Sequence, residues 1–157
     1  MTTKPRSLTF QSPEETANFA ERIGANLQSG DVVLLEGEIG SGKTHFARAL
    51  IQSLMSEPED VPSPTFTLVQ VYDTPIGEIW HSDLYRLSAV DEVEELGLID
   101  AFETAICLVE WPDKLGPLTP GAALRLTFET DPNTEDLRHL TLSWLDPKWT
   151  KKLETFG

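Results

Sequence analysis

At 157 residues, 39% apolar and 24% charged, the chain has the size and composition of one globular domain able to bury its own core. Its 26 Asp and Glu against 12 Lys and Arg give a formal charge of −14, which disfavours unaided binding to a nucleic-acid backbone. No apolar run is long enough to span a bilayer, the opening MTTKPRSLTF lacks the apolar centre of a signal peptide, and the single Cys107 excludes an internal disulfide, so a cytoplasmic protein without membrane contact is expected.

The first predicted element is a helix. Ser12 suits the N-cap, Pro13 the first helical position, and Glu15 completes a capping box. Phe19, Ile23 and Leu27 give its apolar stripe, and Ser29-Gly30 ends it. DVVLLEG then reads as a short buried strand, and KTHFARALIQSLM as a helix with Phe46, Leu50 and Leu54 on one face. The prolines and acids of SEPEDVPSP preclude regular structure. TFTLVQVYD and EIWHSD flank TPIG, which predicts a hairpin or two neighbouring strands. SAVDEVEELGL is a short acidic helix stopping near Gly97, and AICLVEW a buried strand that makes Cys107 a structural thiol. ALRLTF and RHLTLSW alternate apolar and polar residues around a turn-rich ETDPNTED, the pattern of an antiparallel pair. The order strand, loop, helix and further strands predicts an α/β sheet with some antiparallel strands, in one domain spanning residues 1–157.

Gly37, Gly42, Lys43 and Thr44 satisfy G-x-x-x-x-G-K-[ST] between the first buried strand and the following helix. Glycines permit backbone conformations in which successive N–H groups turn onto phosphate oxygens, and the helix aims its positive end at the same place. Lys43 is placed to reach the β- and γ-phosphates, and the Thr44 hydroxyl to ligate Mg²⁺. A glycine-rich turn of purely structural use is the alternative, but a chance match in a chain this long is on the order of one per cent. Local main-chain dipoles and one lysine thus make a triphosphate site within an acidic protein.

Hydrolysis also needs a carboxylate on the metal side and a group that orients water. Glu110, closing ICLVE, is the first candidate for Mg²⁺; an ordinary carboxylate at a strand end is the alternative. Asp83 in HSDLYR is the second, for the attacking water or the metal's surroundings. His81 and Asp83 have an H-x-D spacing, yet no Cys or His cluster completes a zinc set, so His81 reads as a hydrogen-bonded structural histidine. Thr65, after a proline-rich loop, suits either a nucleotide-sensing switch or the plain opening of a strand. Trp111 has three open roles: core packing, base stacking or partner contact.

The blocks GEIGSGKT, SPTFTLV, HSDLYRL, EELGLID and AICLVEWP, in this order, resemble the TsaE (YjeE) family of small ATPases in tRNA threonylcarbamoyladenosine formation. The resemblance covers most of Gly37 to Pro112 and implies a P-loop NTPase three-layer sandwich with a Mg-ATP site. It implies phosphate contacts at Gly40, Ser41, Gly42, Lys43, Thr44 and His45, a nucleotide contact at Ser12, and magnesium at Thr44 and Glu110. Lys43, Asp83 and Glu110 are then the catalytic residues, Thr65 a switch threonine and Trp111 an aromatic on the functional surface. The implied partners are TsaB- and TsaD-like subunits, through which the protein meets tRNA indirectly, with ATP hydrolysis resetting the complex. Two residues depart from the family pattern: His45 stands where a second Thr or Ser is usual, and Ser82 where an apolar residue is common. Two rival readings are a small nucleotide or metabolite kinase and a non-catalytic ATP-sensing subunit. A kinase lid usually brings several arginines, whereas this chain has only Arg48 and Arg86 between the loop and Arg125.

Overall fold

VVLLE has no polar face, so it needs cover on both sides, and it folds as the strand at the heart of a sheet. The computed structural model describes residues 6–38, 40–57, 59–62 and 68–153. Its strands are β1 (Arg6–Phe10), β2 (Val32–Glu36), β3 (Val69–Thr74), β4 (Gly77–Asp83), β5 (Ile106–Glu110), β6 (Leu124–Thr130) and β7 (Arg138–Ser143). Its helices are α1 (Pro13–Gly24), α2 (Lys43–Leu54), α3 (Asp91–Glu95), α4 (Leu98–Thr104) and α5 (Pro147–Lys152), with 3₁₀ turns over Pro112–Leu118.

The seven strands form one sheet in the order β1-β7-β6-β2-β5-β4-β3. β6, β2, β5 and β4 run parallel, while β7 and β3 are antiparallel to their neighbours. β3–β4 is the hairpin expected around TPIG, and β6–β7 the expected C-terminal pair. Alternation along the strands divides the core. Val33, Leu35, Ile106 and Leu108 pack with Phe19, Ile23, Phe46 and Leu50 of α1 and α2 on one face. Val32, Leu34, Cys107 and Val109 pack with Val93 of α3, Leu98 of α4 and Leu115 on the other. The result is a three-layer α/β sandwich. Burying a Leu or Ile fully is worth roughly 1.5–3 kcal/mol, so the wholly buried β2–β5 pair is a main source of cohesion. Burial pushes the Cys107 thiol up to about 12, as befits a structural cysteine.

Differences from the sequence reading have local causes. α1 ends at Gly24, before the Ser29-Gly30 stop: Asn26 and Leu27 bond back to Ile23 and Gly24 in tightened turns, and Leu27 remains buried outside the helix. The Ser12 cap is present, its Oγ accepting from Glu15 N–H at 3.2 Å, but Glu15 returns its bond to Gln11 N–H. β1, α4 and α5 were not expected. α4 begins directly after Gly97, whose φ of 81° turns the chain out of α3. Ser82, the departure in H-x-DLYR, is fully buried, and its hydroxyl finds no partner among the described residues. Among those residues no helix is long and apolar enough to cross a membrane.

The edge of the sheet at which the parallel strands begin is held by a buried charge. Asp31, just before β2, accepts from Lys148 at 2.9 Å, Lys152 at 3.1 Å and Gln28 N–H at 2.9 Å, which fixes α5. Trp149 anchors the same helix, its Nε1 donating to Ala122 O at 2.7 Å. Asp31→Ala is expected to destabilise the fold by about 2–4 kcal/mol, because it strips α5 of its buried counter-charge. The measure is a lower urea midpoint at unchanged slope, and a shift below about 0.5 kcal/mol would mean the lysines do not hold α5.

Candidate functional site

Because β2, β5 and β4 are parallel, their carboxyl ends meet at one edge, where α/β sheets place their ligands. The loop from β2 into α2 starts at Gly37, with φ 146°. A Cβ there would lie 2.6 Å from the Phe128 carbonyl oxygen of β6 and 2.5 Å from Ser41 Oγ, so only glycine lets the loop press against the sheet. Gly42, at φ 109°, caps α2 without a side chain, leaving the first N–H groups of that helix no side-chain acceptor. The Ser41 N–H donates to Glu38 O at 3.1 Å, and the buried Ser41 Oγ has no partner among the described residues.

Lys43 opens α2 and is nearly buried. Its Nζ donates to the carbonyls of Gly37 and, at 3.2 Å, Glu38, and lies 3.9 Å from the centroid of the Trp111 ring. Desolvation holds its pKa below the usual 10.5, while the carboxylates of Glu110, Asp83, Asp113 and Glu38 pull it back upward. Thr44 Oγ1 donates to Glu110 Oε1 at 2.8 Å, and His81 Nε2 meets Glu110 Oε2 at 2.7 Å. Asp83 pairs with Glu110 across β4 and β5, and its Oδ1 accepts the Tyr85 N–H at 3.0 Å. Trp111 has a left-handed backbone, φ 59° and ψ 55°, that turns its ring towards Tyr85, with centroids 4.8 Å apart. A non-glycine residue in that region costs roughly 1–3 kcal/mol, offset here by the ring's contacts with Tyr85 and Lys43.

A cavity of about 670 Å³ opens beside these residues, within the usual range for a small-molecule site. Gly40, Gly42, Lys43, Thr44, His45, Asp83, Glu110 and Trp111 all face it, so motifs 70 residues apart in sequence converge. Ser12 does not line it; its hydroxyl caps α1, and Pro13 and Thr16 form that wall. His45 Nε2 donates to Pro13 O at 2.9 Å and ties α2 to that wall. Thr65 lies outside the described residues. Sequence reading missed Pro13, Thr16, Tyr85, Arg86, Asp136 and Arg138 as lining residues. Tyr85 and Arg86 were within reach of it, in HSDLYRL; Asp136 and Arg138 arrive only through β6–β7 pairing.

The donor set fits a magnesium nucleotide. Thr44 and Glu110 offer hard oxygen atoms, and Mg²⁺ takes one or two carboxylates plus phosphate and water rather than an all-protein cage.

The family model described as "Threonylcarbamoyl adenosine biosynthesis protein TsaE" matches residues 10–139, which include every residue lining the cavity. The chain belongs to the TsaE family. A TsaE relative from Rickettsia bellii is 38% identical over 132 residues, 84% of this chain and 92% of its own. The TsaE of Bacillus subtilis is 36% identical, over 75% of this chain and 73% of its own. Both are named tRNA threonylcarbamoyladenosine biosynthesis proteins. The crystal structure of Bacillus subtilis YdiB superposes with a TM-score of 0.79 at 27% identity, covering 99% of this chain and 95% of that one. The three-layer P-loop fold expected from sequence is therefore the fold of this TsaE-family chain.

Gly37→Ala and Gly40→Ala should part company. The first meets main-chain atoms and is expected to destabilise by about 2–4 kcal/mol; the second has φ 83° but open space, and should cost only about 1–2 kcal/mol of backbone strain. Thermal melts of the two variants test this, and equal losses would mean Gly37 is not wedged against β6.

Proposed function

We propose that this chain is a Mg-dependent ATPase, working as a single domain in the cytoplasm with TsaB- and TsaD-like subunits, in the formation of threonylcarbamoyladenosine beside the tRNA anticodon. The observation that carries the reading is the Thr44–Glu110 hydrogen bond at the mouth of a glycine-wedged loop. The names of the TsaE relatives supply the pathway.

In this reading, the N–H groups at the start of α2 take phosphate oxygens, with the loop from Gly40 to His45 as cradle. Lys43 exchanges the carbonyls of Gly37 and Glu38 for the β- and γ-phosphates, and its burial makes that charge more effective than an exposed one. Thr44 and Glu110 would hold magnesium, which when bound would neutralise charge developing on the phosphates. Asp83, beside Glu110, orients the attacking water. Pro13, Thr16, Asp136 and Arg138 enclose the nucleoside end. Thr65 follows the γ-phosphate as a switch, and Trp111 with the exposed Tyr85 faces the partner subunits. A charge of −14 leaves tRNA capture to those partners.

Purified protein should hydrolyse Mg-ATP slowly alone and faster with TsaB- and TsaD-like subunits. Lys43→Ala should lower turnover on the order of 100-fold or more. Turnover indifferent to the partners, or labelled γ-phosphate passing to a small acceptor instead of water, would count against the proposal. Glu110→Gln separates catalysis from sensing: intact partner function without hydrolysis would make the chain a sensor.

A further inference from the structure

Glu110 has two oxygens with different neighbours. Oε1 accepts from Thr44 Oγ1 at 2.8 Å, while Oε2 meets His81 Nε2 at 2.7 Å behind it. Both His81 and Glu110 are almost wholly buried, and they sit on adjacent parallel strands, His81 two residues before the register partner of Glu110. A carboxylate only accepts, so the Nε2–H is the donor. His81 Nδ1 finds no partner among the described residues. As core packing, a fully buried imidazole with one unsatisfied nitrogen is a poor choice beside an apolar side chain of similar size. Among the described residues, its ring nitrogens make one hydrogen bond, to the carboxylate that faces the cavity.

We propose that His81 is a positioning residue for Glu110: by engaging Oε2 from behind, it fixes the carboxylate so that Oε1 is presented with the Thr44 hydroxyl to the divalent cation. The proposal rests on the reading of Thr44 and Glu110 as the magnesium pair. Histidine acts in this design through the carboxylate, touching neither metal nor nucleotide, and removal of such a partner typically costs 10–100-fold in metal affinity.

The test compares near-isosteric variants. Glutamine places its amide nitrogen as many bonds from Cβ as His Nε2, whereas asparagine reaches only the Nδ1 position. Binding of a fluorescent, non-hydrolysable ATP analogue is titrated with Mg²⁺, and separately measured in EDTA. His81→Gln should keep the Mg²⁺ half-saturation within roughly threefold of wild type, while His81→Asn and His81→Leu raise it about 10–100-fold with EDTA affinity unchanged. Wild-type Mg²⁺ dependence in Asn and Leu, or a loss in Gln as large as in Asn, overturns the proposal and leaves the ATPase reading standing. Analogue binding by wild type that ignores Mg²⁺ sinks the magnesium reading itself. Should a variant not fold, ¹⁵N–¹H spectra of the wild-type imidazole decide: an Nε2–H resonance that moves on addition of Mg²⁺ and the analogue supports the proposal, and protonation at Nδ1 alone overturns it.

Discussion

The Glu110 carboxylate, held between Thr44 Oγ1 and His81 Nε2, is the joint on which the cavity depends. It ties the first turn of α2 to β4 and β5, adding a side-chain link from the helix to two strands already joined by their backbone ladder. The joint exists because the sheet register sets Asp83 opposite Glu110 and brings the end of β2 alongside. A slip of one residue in β4 or β5 would carry these side chains to the opposite face. The register therefore does more than pair apolar strands: it sets the polar groups at the strand ends beside one another.

Electrostatics follow from the same crowding. Lys43 is pressed into a site with Glu110, Asp83, Asp113 and Glu38 nearby, and burial works against its charge while these carboxylates work for it. The cation is retained by neighbours that would themselves repel an anionic ligand. What tilts the site towards phosphate is directional: the start of α2, which no side chain caps, and glycines at positions 37, 40 and 42 of the loop before it. An acidic protein can hold an anion this way, since the attraction acts over one helical turn while the global field is screened within about 10 Å.

Local signals were legible in the sequence and non-local ones were not. The α1 cap, the buried strands and the loop announce themselves within a few residues, because capping, alternation and glycine spacing are local physics. β1 was passed over although Leu8 and Phe10 alternate inward, since an edge strand of five residues has meaning only beside β7. α5 carries a start signal of the same kind as α1, a capping residue followed by proline (Asp146-Pro147 against Ser12-Pro13), yet is too short for an apolar stripe. Within the cavity, Lys43, Thr44, Asp83 and Glu110 stood in motifs. Asp136 and Arg138 did not, since their approach depends on pairing between β6 and β7. The sequence marks His81 only as a hydrogen-bonded structural histidine, since its bond to Glu110 depends on the register between β4 and β5.

The hydrogen bonds that Lys43 makes to Gly37 and Glu38 bear on how tightly anything can be gripped there. An incoming acceptor competes with two carbonyls already in place, so the gain is the difference between old and new bonds rather than their sum. Each bond that Lys43 would give to an acceptor entering the cavity is offset by one it gives up inside the loop.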